Sequence, residues 1–212
     1  MKTTTIVLAG GQSTRLGQDK GLLVLDNKPL VKHVLNAIGR ITDEILLVVS
    51  SQAQTDNYSK ILAPNMKVVI DHEKTGSPLA GASTGFQEAS GDYSLLLACD
   101  TPLVSREIIA LLLELCINKA AAIPRWPNGY IEPLQAAYHT KSALKASEAA
   151  INEGGVKMQC MVDKLRGVRY VSTLVLQQLD PELATFFNVN TQMDLAKAKI
   201  IMDKRRKGVN AV

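Results

Sequence analysis

Apolar residues follow two rhythms along the chain. Short unbroken apolar runs at Thr4–Ala9, Glu44–Ser50, Lys67–Asp71 and Tyr93–Cys99 predict strands covered on both faces. Between them, Pro29–Arg40, Gln52–Leu62 and Pro78–Ala89 carry helical spacing, and Pro29 and Pro78 suit a first helical position. Val104–Cys116 reads as a further helix and Ala120–Ile123 as a further strand. The rhythm then loosens through Pro124, Pro127, Asn128, Gly129 and Pro133, a loop-rich insertion ahead of a strand at Leu134–Tyr138. Lys141–Ile151 and Lys157–Leu165 read as helices, Val168–Ser172 as a strand and Thr191–Lys207 as a last helix. Strand–helix alternation of this kind predicts right-handed crossovers and a mainly parallel sheet. The expectation is one α/β domain of Rossmann-like, three-layer type.

In open sheets of this kind, ligands bind beyond the carboxyl ends of the strands. The residues that follow the first four apolar runs are therefore the informative ones. They are the loop Gly10–Lys20, then Ser50, Asp71 and Asp100. The loop reads Leu8-Ala9-Gly10-Gly11-Gln12-Ser13-Thr14-Arg15-Leu16-Gly17-Gln18-Asp19-Lys20. Its glycines allow close approach to backbone N–H groups. Arg15 and Lys20 add a bidentate fork and a mobile point charge. The loop matches neither GxxxxGK[ST] nor GxGxxG. It suits a triphosphate; the alternative is a βα turn with solvated charges. Asp100 at a strand end beside such a loop suits magnesium, which takes one or two carboxylates plus substrate phosphates. A helix cap or turn is the alternative for Asp100 and for Asp71 alike.

Composition removes other classes. The 212 residues are 46% hydrophobic and 21% charged, enough for a core without disulfides or structural metal. Aromatics at 4% do not supply a base-stacking platform. No apolar run reaches the ~20 residues of a membrane span, and the N-terminus lacks a signal-peptide core, so a cytoplasmic protein is expected. Cys99, Cys116 and Cys160 form no CxxC pair, as expected for reduced thiols. The net charge of +4 gathers in six basic residues between Lys197 and Lys207. A basic tail over 201–212 can bind nucleic acid. The preferred reading is a helix end whose Lys and Arg suit its dipole. Nothing in the sequence selects between a monomer and a weak homo-oligomer.

The order LAGGxSxRxGxDK, Ser77-Pro78-Leu79-Ala80-Gly81, Cys99-Asp100-Thr101-Pro102 and Phe187-Asn188-Val189-Asn190-Thr191 resembles the molybdenum cofactor guanylyltransferases. The resemblance spans nearly the whole chain and implies a nucleotidyltransferase fold. It also implies transfer of GMP from GTP to molybdopterin carrying molybdenum, with magnesium and loss of pyrophosphate. The implied nucleotide-binding half is about 1–103 and the acceptor-binding half about 104–200. On the matching positions, Leu8, Ala9, Gly10 and Gly11 would hold guanine and the first phosphates, their backbone carbonyls accepting from the base. Arg15 would grip the outgoing pyrophosphate, and Lys20 would sit near the α-phosphate. Asp71 would contact the nucleotide, while Asp100 and Asn190 would hold the metal. Ser50, or Ser51, stands where the family has a nucleotide-contacting Asn. Arg125, Glu132, Asn188 and Asn190 match the acceptor side, with Trp126 and Tyr138 as flat walls if the strand ends carry them to Asp100. The alternatives are a sibling transferase using CTP or another acceptor, and a nucleotide-binding regulator without catalysis.

Overall fold

A computed structural model describes residues 1–10, 19–63, 66–72 and 76–209. Its strands are β1 (Thr3–Leu8), β2 (Val24–Leu25), β3 (Lys28–Pro29), β4 (Glu44–Val49), β5 (Met66–Ile70), β6 (Tyr93–Ala98), β7 (Ala121–Arg125), β8 (Gln135–His139) and β9 (Val168–Ser172). Its α-helices are α1 (Leu30–Ile38), α2 (Gln52–Ser59), α3 (Pro78–Glu88), α4 (Arg106–Cys116), α5 (Thr140–Asn152), α6 (Met158–Val162), α7 (Thr173–Leu176) and α8 (Gln192–Val209). The seven apolar runs all form strands of the main sheet, each end within two residues of its expected place. Missing from the expectation are α7 and the β2–β3 hairpin. The hairpin turn is Asp26-Asn27, both at positive φ (48° and 61°), as a two-residue hairpin loop requires.

The main sheet runs β5-β4-β1-β6-β8-β7-β9. β4, β5 and β6 lie parallel in the β1 group, and β9 is parallel to β7. β8 is antiparallel to both β6 and β7. The sheet is therefore mainly parallel with one reversed strand, in agreement with the expected class. β8 can be reversed because its connection from β7 is a loop, and an antiparallel neighbour needs no crossover helix.

Alternation within the strands explains the three layers. Val7, Leu47, Leu95 and Leu97 point into one core with residues of α1, α2, α4 and α7. Ile6, Leu46, Val48 and Leu96 point into the other with residues of α3, α5 and α6. Both faces are covered, so the runs are apolar throughout instead of alternating with polar residues. Leu96 is fully buried, and its truncation to Ala would cost roughly 2–5 kcal/mol.

A third, smaller core joins the hairpin, Leu103, Val189 and α8 through Ala198 and Met202. The basic C-terminal stretch is part of this structure. Arg205 reaches the buried Asp180 at 2.6 Å and the Leu103 carbonyl at 3.0 Å. Lys199 and Arg206 each lie 2.6 Å from Asp26. Hydrogen bonds from Lys199 and then Arg206 hold that carboxyl at about 2. The preferred reading of the basic stretch as a helix end agrees with α8, which continues to Val209, and Lys199, Arg205 and Arg206 tie it to the hairpin and to Asp180.

Candidate active site

Five strand ends meet at one cleft of about 770 Å³. β1, β4, β5 and β6 bring their carboxyl ends, and the reversed β8 brings its amino end. Leu8, Gly10, Lys20, Ser50, Asp71 and Asp100 line the cleft on the β1–β6 side. Backbone bonds stitch these ends together: Ala9 N donates to the Val48 carbonyl, Asp71 N to that of Val49, and Cys99 N to that of Leu8.

The strand-end residues differ in their chemistry. Ser50 Oγ donates to the Gly10 carbonyl at 2.6 Å, and a Cβ on Gly10 would overlap that oxygen. Glycine here is a requirement of close approach. Ser51 instead caps α2 through Gln54 N, so Ser50 is the member of the pair that lines the cleft. Ala9 is fully buried in the core. It contributes backbone only, and its carbonyl accepts from Gln54 at 3.4 Å. The carbonyls of Leu8, Ala9 and Gly10 thus each already accept a bond from the protein, leaving one lone pair apiece for a base. Asp71 Oδ1 accepts from Thr84 on α3 at 2.8 Å, which orients the carboxylate at the cleft. Gly11 and Arg15 lie outside the described residues.

Lys20, Asp100 and Asn190 converge although 80 and 170 residues separate Lys20 from the other two. Lys20 Nζ lies 2.6 Å from Asn190 Oδ1 and 3.4 Å from Asp100 Oδ2. Burial raises the Asp100 carboxyl above its ordinary range, and the Lys20 ammonium works against that rise. Asn190 reaches this point through local structure. Val189 N donates to the Asp100 carbonyl at 2.8 Å, zipping the two segments side by side. Val189 is fully buried, so Asn188 and Asn190, on either side of it in an extended segment, both face the cleft. Thr191 and Asp194 then exchange bonds as a capping box at the start of α8.

A carboxylate and an amide oxygen aimed at one ammonium make a seat for positive charge. Both are hard oxygen donors, as magnesium requires. Among the described residues no three His, Cys, Asp or Glu side chains come together. A cation here would complete its shell with phosphate oxygens and water. Residues 5–168 match the family described as MobA-like NTP transferase domain.

The chain belongs to that family. It is 34% identical over 91% of its length, and 88% of the relative's, to a probable molybdenum cofactor guanylyltransferase of Methanosarcina mazei. Its fold superposes on molybdopterin-guanine dinucleotide biosynthesis protein A of Archaeoglobus fulgidus with a TM-score of 0.81 at 28% identity, covering 95% and 99% of the two chains. A 2-C-methyl-D-erythritol 4-phosphate cytidylyltransferase of Thermus thermophilus shares the fold at 17% identity and a TM-score of 0.67, over 93% and 98% of the chains.

In this MobA-like transferase the second half of the chain supplies the rest of the lining. Glu132, Gln135, Asn188 and Asn190 line the cleft. Glu132 accepts from Trp126 Nε1 at 2.7 Å, and burial raises its carboxyl. Three expectations for this side need correction. Arg125 lies at the right edge of the sheet but out by β9, where its guanidinium stacks on Tyr170 at 5.3 Å; it does not line the cleft. Tyr138 is fully buried and donates to the Pro133 carbonyl at 2.7 Å. The reversal of β8 carries it toward the other edge of the sheet, opposite Ser94. Trp126 packs edge-on against Phe186 and does not line the cleft itself; it bonds to the lining residues Glu132, Tyr130 and Gly129.

Other residues take those places. Tyr130, 63% exposed, and Lys157 both line the cleft. Gln54 and Tyr58 of α2 also escaped the sequence reading. The signal for them was a helix with almost no apolar residues, in which Gln and Tyr four apart share one face. Among the described residues no helix is long and apolar enough to cross a membrane.

Proposed function

We propose that this protein transfers GMP from GTP to molybdopterin carrying molybdenum, forming the guanine dinucleotide cofactor and releasing pyrophosphate. The observation that carries the reading is the Lys20 ammonium held between Asp100 and Asn190 at the strand-end edge of a cleft of about 770 Å³. The names carried by the relatives supply the substrates.

An acceptor phosphate oxygen attacks the α-phosphorus of GTP. A new P–O bond forms, the bond from the α-phosphorus to the α–β bridging oxygen breaks, and pyrophosphate leaves with that electron pair. The chain supplies charge and position for such a step and needs no covalent nucleophile. Lys20 neutralises charge at the reacting phosphate and Arg15 at the departing ones. Asp100 and Asn190 would hold magnesium, whose chemistry is to offset charge on the phosphate oxygens and align them. Gly10 lets the nucleotide approach the backbone, with Leu8, Gly11, Ser50 and Asp71 on its base and ribose.

Lys157, which lines the cleft, replaces Arg125 as the cation for the acceptor's phosphate. Tyr130 supplies a flat exposed ring, and Glu132, Asn188 and Asn190 supply polar contacts. The cleft volume falls in the upper part of the range for small-molecule sites. A pyrophosphate-release assay over the four NTPs, with and without molybdopterin, tests the reading. Release is expected only with GTP, acceptor and a divalent cation together. Equal release with CTP assigns the protein to the cytidylyl relatives. GTP binding by calorimetry without release under any condition makes it a regulator.

A further inference from the structure

We infer that Asp19, Gln54 and Tyr58 form a clamp that positions Lys20, so that α2 acts on the transfer step through that lysine. The inference rests on the function proposed above and names positioning residues of the same site.

The helix itself is the first clue. α2 reads Gln-Ala-Gln-Thr-Asp-Asn-Tyr-Ser, and Tyr58 is its one buried residue. A helix that buries a single side chain contributes little to a core. What it turns inward is polar: Gln54 and the Tyr58 hydroxyl, four residues apart on one face. Both end on Asp19. The Tyr58 hydroxyl donates to Asp19 Oδ1 at 2.5 Å, Gln54 Nε2 donates to Oδ2 at 2.7 Å, and Gly21 N donates to Oδ1 at 3.0 Å. Burial, with Cys99 and Asp19 beside it, pushes ionisation of the Tyr58 phenol far up, so the hydroxyl stays a donor.

Gln54 ties the same carboxylate to the sheet. Its Oε1 accepts from Ser50 N at 2.8 Å, and its Nε2 also approaches the Ala9 carbonyl at 3.4 Å. Asp19 is thereby referenced to the ends of both β1 and β4. Asp19 in turn caps the short 3-10 turn Lys20–Leu22. Gly21 completes the arrangement: a Cβ there would overlap the Tyr58 hydroxyl, so glycine is what admits the tyrosine. Lys20 thus sits between two residues whose backbone or side chain is pinned. Its stem is long and rotamer-rich, and holding its origin is the way to keep Nζ on Asn190 and Asp100.

The test is Tyr58→Phe, which removes one oxygen and keeps the buried ring. In the full-length protein the kcat for GMP transfer should fall about tenfold, while GTP affinity by calorimetry stays within about twofold. In a Lys20→Ala background the same change should alter kcat by less than about twofold, because its effect runs through the ammonium. Equal losses in both backgrounds, or no loss in the first, overturn the clamp. A readout independent of turnover keeps a failure of the proposed function separate. Trace acetylation followed by mass spectrometry should show Lys20 reacting at least about threefold faster in Tyr58→Phe, with Lys67 as the unaffected internal standard. An unchanged Lys20 rate overturns the inference even if the protein proves inactive on GTP. If Tyr58→Phe does not fold, Gln54→Ala on the same helix should give the same pattern, and its absence there counts equally against the clamp.

Discussion

Asp100 and Glu132 line one cleft from the ends of the neighbouring strands β6 and β8, and burial raises both carboxyls. Their partners differ. Asp100 has a cation, Lys20, at 3.4 Å, shared with an amide oxygen. Glu132 has a neutral indole N–H at 2.7 Å and, among the described residues, no salt-bridge partner. The two acids therefore stand in different electrostatic company. The first is a carboxylate kept ready for positive charge. The second is a carboxyl whose oxygen accepts from a neutral N–H donor. What separates the two carboxyls is the polar partner that the fold delivers to each.

The sharpest break in that comparison is Asp100→Asn. Loss of the charged donor should lower kcat by about a thousandfold, several kcal/mol of charge stabilisation, while the melting temperature stays level or rises. A steady-state assay beside a thermal melt separates the two effects. Turnover near wild type at saturating magnesium would remove Asp100 from the metal site. Lys20→Ala should come next, lowering kcat by about a hundredfold with a smaller change in the KM for GTP; an unchanged kcat would contradict its assignment.

Glu132→Gln probes the other carboxyl. The amide oxygen must stay on Trp126 Nε1, which turns the NH2 group into the cleft where the carboxyl offered an acceptor. The KM for the acceptor should rise about tenfold, with GTP affinity within about twofold.

The same variant carries a pH signature. A carboxyl whose folded value is raised contributes stability below its unfolded value, and that contribution is lost as pH rises through the folded value. The substituted amide does not titrate, so the variant should melt with wild type below 4.5, the ordinary Glu value. It should melt about 2 °C higher at neutral pH. Melts across pH check this, and a constant difference at all pH values would point to packing alone. The smallest effect expected is that of Arg125→Ala. Its guanidinium rests on Tyr170, so both substrate affinities should stay within about twofold by calorimetry. A large loss of acceptor binding would restore Arg125 to the site.

Much of this was open to reading because it is local. Apolar runs and helical spacing are properties of neighbouring residues, and they predicted the main-sheet strands and their order in the chain. Gly10, Ser50, Asp71 and Asp100 follow apolar runs directly, so the rule that ligands sit at strand ends found them without coordinates. Asn188 and Asn190 came from the motif match, and the capping box formed by Thr191 and Asp194 shows why that segment is built as it is.

What the sequence determined alone is the set of elements and the residues at their ends, because a period of two or of 3.6 is written along the chain. Tertiary structure decided everything that depends on pairing across distance. It reversed β8, moving Tyr138 away from the cleft and Gln135 into it. It sent Arg125 to Tyr170, and it spent the basic helix on Asp26 and Asp180. It also brought Lys20 to Asn190, and Gln54 and Tyr58 to Asp19. Strand direction and salt-bridge choice are settled by which surfaces can be buried together. That competition is global, and no window of sequence contains both partners.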